Sequence, residues 1–90
     1  MQERKLKSTY LKSLLGKVLK EARENNTDRS CNKAEEEFEI SRGNLNRIEN
    51  GKTDPTFTTL WKAAEASNQK LSSIINQIEN LVGEDFTLSD

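Results

Sequence analysis

The sequence predicts an all-α protein, a compact bundle of five helices that contains a helix-turn-helix. Three observations predict it. Apolar residues recur at three- and four-residue spacing in every long segment. The breaks between segments fall on Asn, Asp, Ser, Gly and Pro, residues that favour turns and caps. No segment shows the sustained alternation of a strand or the signal of a hairpin.

The elements follow in order. Leu6, Tyr10, Leu11, Leu14, Leu15, Val18, Leu19 and Ala22 line one face of a long helix, from residue 6 to about residue 24. "NNTD" at residues 25–28 ends it, and Thr27, Asp28 or Ser30 can cap a second helix that runs through Phe38. Its apolar face is thin: Cys31, Ala34 and Phe38. A third helix follows Ile40, with Ser41 at its cap and Leu45 and Ile48 pointing inward. Asn50-Gly51 ends it, and Pro55 keeps it from resuming. Thr56 caps a fourth helix, Phe57 to about Ala66, with Phe57, Leu60, Trp61, Ala63 and Ala64 as core candidates. After "SNQK", a fifth helix carries Leu71, Ile74, Ile75, Ile78, Leu81 and Val82, and Gly83 stops it. Residues 1–82 are expected to form one helix-turn-helix domain, with the motif at about residues 30–51. Residues 83–90 are expected to be a loose acidic tail.

Composition narrows the function. Of 90 residues, 32% are hydrophobic and 32% charged, so the core is small. No stretch of about 18 apolar residues is present and no signal-peptide pattern follows Met1, which predicts a cytoplasmic protein. There is no His and a single cysteine, Cys31. That leaves no internal disulfide and no metal site, and it removes the commonest general base. No cofactor and no enzyme activity are expected.

Net charge is -1, but the charges are segregated. The first helix carries Arg4, Lys5, Lys7, Lys12, Lys17, Lys20 and Arg23, and residues 35–39 read "EEEFE". Between Arg29 and Lys52 stand five bases (Arg29, Lys33, Arg42, Arg47, Lys52) and five acids (Glu35, Glu36, Glu37, Glu39, Glu49). That balance predicts modest non-specific affinity for DNA, because few counterions would be released.

The third helix, "ISRGNLNRIENGKTDP" with its flanks, carries the function. A short capped helix joined to its predecessor by a turn of about four residues describes a helix-turn-helix. Such a helix lies in the DNA major groove and reads base edges with its N-terminal residues. Arg42 and Arg47 stand about 140° apart around the helix and flank the face opposite Leu45 and Ile48. Arginine pairs bidentately with guanine and asparagine with adenine. Gly43 is open to two readings: close backbone approach to DNA, or tolerance of glycine in a first turn.

At these residues the chain resembles the phage-repressor-like helix-turn-helix family, also called lambda-repressor-like or XRE. The resemblance covers about residues 14–78. It rests on "LGKVLKEAR", "ISRGNLNRIENGKTDP" and "LWKAAEASNQKLSSII". It implies that double-stranded DNA is the partner, with residues 41–47 in the major groove, in a bacterial, phage or plasmid setting. Ser41 opens that segment, and Arg42, Gly43, Asn44 and Arg47 fall where the family reads bases. Cys31, Asn50 and Lys52 fall where it grips phosphates, and Arg23 pairs with Glu49 to tie the first helix to the recognition helix.

Several positions depart from the pattern. The family usually has glutamine at Cys31, a small residue at Glu35 and glycine at Glu39. An alternative alignment puts Ala34 in the small-residue slot, with the turn extended by one residue. Ser67 and Gln69 stand where apolar residues are usual. The extended ends, Leu6 and Tyr10 at one and Ile75, Ile78, Leu81, Val82 and Phe86 at the other, either enlarge the core or form a two-fold interface. A single recognition helix binds weakly, so a repressor acting as a homodimer on a palindromic operator is the reading adopted. The rival is a protein-interaction module (antitoxin, anti-repressor or conjugation accessory protein) whose acidic second helix, through Glu35, Glu36, Glu37 and Glu39, docks a basic partner.

Overall fold

A computed structural model describes residues 2–89, with side chains from residue 6 onward. Asp90 of the acidic tail, and the side chains of Arg4 and Lys5 in the basic run, lie outside the described residues. Five helices and no strand are found among those residues: α1 (Gln2–Asn26), α2 (Cys31–Phe38), α3 (Arg42–Glu49), α4 (Phe57–Ala66) and α5 (Leu71–Val82). The all-α expectation is borne out. No helix among them is long and apolar enough to cross a membrane.

Local chemistry sets each boundary. Ser30, of the three candidate caps, starts α2: its hydroxyl accepts the Lys33 N–H at 3.2 Å. Thr27 shapes the preceding turn instead, donating to the Arg23 carbonyl and accepting the Arg29 N–H. Ser41 caps α3 by accepting the Asn44 N–H at 3.0 Å, and Thr56 caps α4 through the Thr59 N–H. Gly51, at φ 71, closes α3 in the left-handed conformation, with its N–H on the Ile48 carbonyl and the Lys52 N–H on the Arg47 carbonyl.

The core is built from one stripe of each helix: Val18, Leu19 and Ala22; Ala34; Leu45 and Ile48; Ala63, Ala64 and Ala66; Ile74 and Ile78, with Ile40 between α2 and α3. Ser67 is also buried, and its hydroxyl donates to the Ala64 carbonyl at 2.9 Å, which satisfies it where an apolar residue is usual.

The two open alignments resolve into a mixture. Ala34 is fully buried and serves as the small residue between helices, whereas Glu35 is exposed. The turn is nevertheless not extended, because Glu39 itself takes the left-handed position at φ 57, ψ 36. A non-glycine residue there costs about 1 kcal/mol.

Two core expectations are corrected. Phe57 is 68% exposed and Trp61 51%. The buried side of α4 is centred on Leu60, Ala63, Ala64 and Ser67, and at about 100° per residue Trp61 stands roughly 110° from that centre. The two rings pack on each other instead, edge to face, with centroids 5.8 Å apart.

The extended ends divide between the two readings. Tyr10 of α1 meets Phe86 beyond α5 with ring centroids 6.3 Å apart, so part of the tail folds back on α1. Ile78 is buried, while Leu6, Tyr10, Ile75 and Leu81 keep much of their surface in solvent.

Candidate nucleic-acid interface

The placement of α3 begins with α1. Gly16 is buried in α1, and a Cβ at that position would collide with the carbonyl oxygens of Ile48 and Glu49. Only glycine allows the two backbones to approach so closely. Gly51 lies against Ser13 in the same contact, with 3.0 Å between its would-be Cβ and the Ser13 Cα. Gly16 lies inside "LGKVLKEAR", but its task is not legible there, because a close approach of backbones leaves no periodic signal.

About two turns further along α1, Arg23 holds the same end of α3. Its Nε donates to Glu49 Oε2 at 2.7 Å and its Nη2 to Glu49 Oε1 at 2.9 Å, a bidentate pair. Nη1 donates to the Arg29 carbonyl at 2.8 Å, so one guanidinium fixes α1, α3 and the loop before α2. The hydrogen bonds that Arg23 donates to Glu49 hold its pKa above the ordinary value despite burial. Arg29 does comparable work: Nη1 reaches the Ala66 carbonyl at 2.8 Å, Nε the Glu37 carboxylate at 3.0 Å, and its guanidinium stacks on Phe38.

Held in this way, α3 buries Leu45, Ile48 and Glu49 and exposes Arg42, Gly43, Asn46 and Arg47, with Asn44 half-buried. Arg42 is gripped twice from α2. Its backbone N–H donates to Glu35 Oε2 at 3.1 Å, and its Nη1 donates to Asn32 Oδ1 at 2.9 Å. Arg47 folds back along the helix: its Nη1 is the atom nearest to where a Gly43 Cβ would stand, at 3.7 Å. A side chain larger than alanine at position 43 would obstruct that path. The result is a shallow depression between the first turn of α2 and α3, lined by Cys31, Asn32, Arg42, Gly43 and Arg47 among others.

Around this depression stand the remaining candidates. Cys31 is the first residue of α2 and half-buried; burial, ahead of the Glu49 charge, pushes its thiol pKa up against the pull of Arg23 and Lys20. Asn50 is exposed beyond α3, its amide donating to Asn46 Oδ1 at 2.8 Å. Lys52 is exposed in the following loop. The acids of α2 are taken up within the chain. Glu35 accepts the Arg42 N–H, Glu36 meets Lys33 at 3.4 Å, and Glu37 meets Arg29 at 3.0 Å.

A small domain that presents one short, sharply capped helix behind a second has the layout of a helix-turn-helix. Residues 19–74 match the helix-turn-helix family. The chain belongs to that family, in its phage-repressor-like branch. Within it, the chain is similar to the plasmid copy control protein CopR of Streptococcus agalactiae, 40% identical over 52 residues, which is 58% of this chain and 54% of the relative. The chain therefore spans about half the length of the curated relative it matches. No solved structure matches significantly. In a helix-turn-helix the second motif helix follows the first across a short turn, and α3 follows α2 in that way.

Proposed function

We propose that this chain is a sequence-specific DNA-binding transcriptional regulator, a repressor. It binds a palindromic operator as a homodimer, with residues 41–47 of each copy in the major groove. The observation that carries this reading is the division of α3. Leu45, Ile48 and Glu49 are built into the core, and Arg42 and Arg47 stand exposed on the other side.

In this reading Arg42 and Arg47 contact guanine edges or phosphates, and Asn44 assists. Bidentate pairing of this kind discriminates against the wrong base by about 1–3 kcal/mol. Ser41 caps the reading helix at the groove. Cys31, at the positive end of α2, together with Asn50, Lys52 and the lysines of α1, faces the phosphates. Similarity to a plasmid copy control protein supports a regulatory role. Exposed Leu6, Tyr10, Ile75 and Leu81 supply apolar surface for a second copy.

The rival reading is a protein-interaction module docking through Glu35, Glu36, Glu37 and Glu39. Three of these carboxylates meet donors inside the chain, which leaves Glu39 as the exposed acid of that surface without such a contact among the described residues. The deciding experiment is selection from random duplex DNA, followed by a salt titration on the winning sequence. An enriched two-fold motif, lost in Arg42→Ala and Arg47→Ala, is expected. Sedimentation over a range of concentrations tests the homodimer. Absence of any enriched motif would defeat the DNA reading.

A further inference from the structure

We infer that Asn32, on α2, is a positioning residue for Arg42, and that base discrimination by Arg42 depends on it. The inference rests on the proposed DNA reading and adds a residue outside the reading helix. The side-chain oxygen of Asn32, Oδ1, lies 2.9 Å from Arg42 Nη1 and accepts its hydrogen bond. A guanidinium carries five N–H donors in a rigid plane. This bond uses one of them and leaves the Nη2 and Nε edge available for a bidentate partner. Because the plane is rigid, holding one donor narrows the directions that edge can take.

Both ends of the contact stand on capped, core-anchored helical backbone. Asn32 is the second residue of α2, between the Ser30 cap and Ala34, which is fully buried. Arg42 is the first residue of α3, between the Ser41 cap and Leu45, 1% exposed. The main chain of Arg42 is secured from the same helix by Glu35 at 3.1 Å. A freely rotating arginine samples many directions, and a bidentate pair with a base edge tolerates only a narrow set of them. Asn32 removes most of the wrong ones before DNA arrives. Arg47 has no such brace from α2; it lies along Gly43 of its own helix.

Two measurements on the full chain test this. In the free protein, nitrogen-15 relaxation of the Arg42 Nε is expected to report a restrained side chain, released in Asn32→Ala with no change in unfolding midpoint. With DNA, the readout is the ratio of affinity for the selected site to affinity for the same site altered at the base pair that Arg42→Ala identifies. Asn32→Ala is expected to lower that ratio about tenfold, within the range for one bidentate contact. Asn32→Asp keeps the acceptor and adds a charge. It is expected to weaken binding to all sequences alike while preserving the ratio. A mobile Arg42 Nε in the unsubstituted chain, or an unchanged ratio in Asn32→Ala, overturns the inference alone. Failure of the unsubstituted chain to select any motif overturns the DNA reading, and this inference with it.

Discussion

Gly16 of α1 and Glu49 of α3 are in backbone contact: a Cβ built on Gly16 would lie 2.6 Å from the Glu49 carbonyl oxygen. Main chain cannot rotate away as a side chain can, so Gly16→Ala must push α3 off α1. Alanine gains about 1 kcal/mol of helix propensity over glycine, and forced overpacking of a tight contact costs about 1–3 kcal/mol or more. Gly16→Ala is expected to destabilise the fold by about 2 kcal/mol, measured as a lower urea midpoint. A midpoint that holds or rises would show that the two helices are not in contact here.

Gly43, on α3 itself, gives the opposite expectation. Its nearest neighbour across the space a Cβ would fill is Arg47 Nη1, at the ordinary distance of 3.7 Å. Gly43→Ala is expected to leave stability unchanged or raise it by up to about 0.5–1 kcal/mol. Gly43→Leu is expected to be equally well folded but to displace Arg47 and weaken DNA binding. Equal affinity for Gly43→Leu and the parent chain would remove Gly43 from the interface.

The Arg23–Glu49 pair is nearly sealed from solvent, with side chains 12% and 5% exposed. Removing one partner of such a pair strands the other, at a cost of about 3 kcal/mol. Glu49→Met and Arg23→Met are each expected to destabilise by roughly that amount. The double replacement is expected to cost clearly less than the two together, a coupling readable in a double-mutant cycle. Additive single effects would mean the two side chains do not meet in solution.

The residues proposed to contact DNA divide by the kind of loss each is expected to produce. Arg42→Ala is expected to lower affinity for the selected site about 10- to 100-fold and to relax one base position. Lys52→Ala is expected to weaken all sequences alike and to reduce the slope of log K against log salt by about 1. A filter-binding or anisotropy series at several salt concentrations separates the two. A Lys52→Ala slope equal to that of the parent would place Lys52 away from the phosphates.

Burial raises the Cys31 thiol pKa in the fold. The unfolded thiol then ionises first as pH rises. The stability this group contributes is full below the unfolded pKa and is lost as pH climbs through the folded one. Alkylation at pH 8 is accordingly expected to run several-fold slower in the folded chain than in urea, because the thiolate is the reacting form. Equal rates in the two states would contradict a raised thiol pKa.

Much of this protein is written in local sequence. Ser30, Ser41 and Thr56 cap the helices they precede, and Gly51 closes α3, because a hydroxyl three residues ahead of an N–H, or a glycine free to take positive φ, acts within one turn. The same short range made Leu45 and Ile48 legible as the buried side of α3 and Arg42 and Arg47 as its exposed side. The Arg23–Glu49 partnership was legible through family resemblance, not through spacing; the two residues are 26 positions apart.

Tertiary structure alone decided the rest. Phe57 and Trp61 have the composition of core and lie outside it, because the face that α4 turns inward is chosen by its neighbours and not by its own apolar residues. Gly16 matters for a carbonyl more than thirty positions away, and Asn32 for a guanidinium ten positions away on the next helix. The sequence determined which helices form, where α3, α4 and α5 begin and end, and which family they build; α1 runs from Gln2 to Asn26, beyond the residue 6 to about 24 that its apolar stripe marks. The tertiary structure decided how closely α1 approaches α3 and which side chains of α2 hold Arg42. Caps and periodicity act through adjacent residues, whereas close approach and side-chain pairing depend on distances that exist only once the helices have packed.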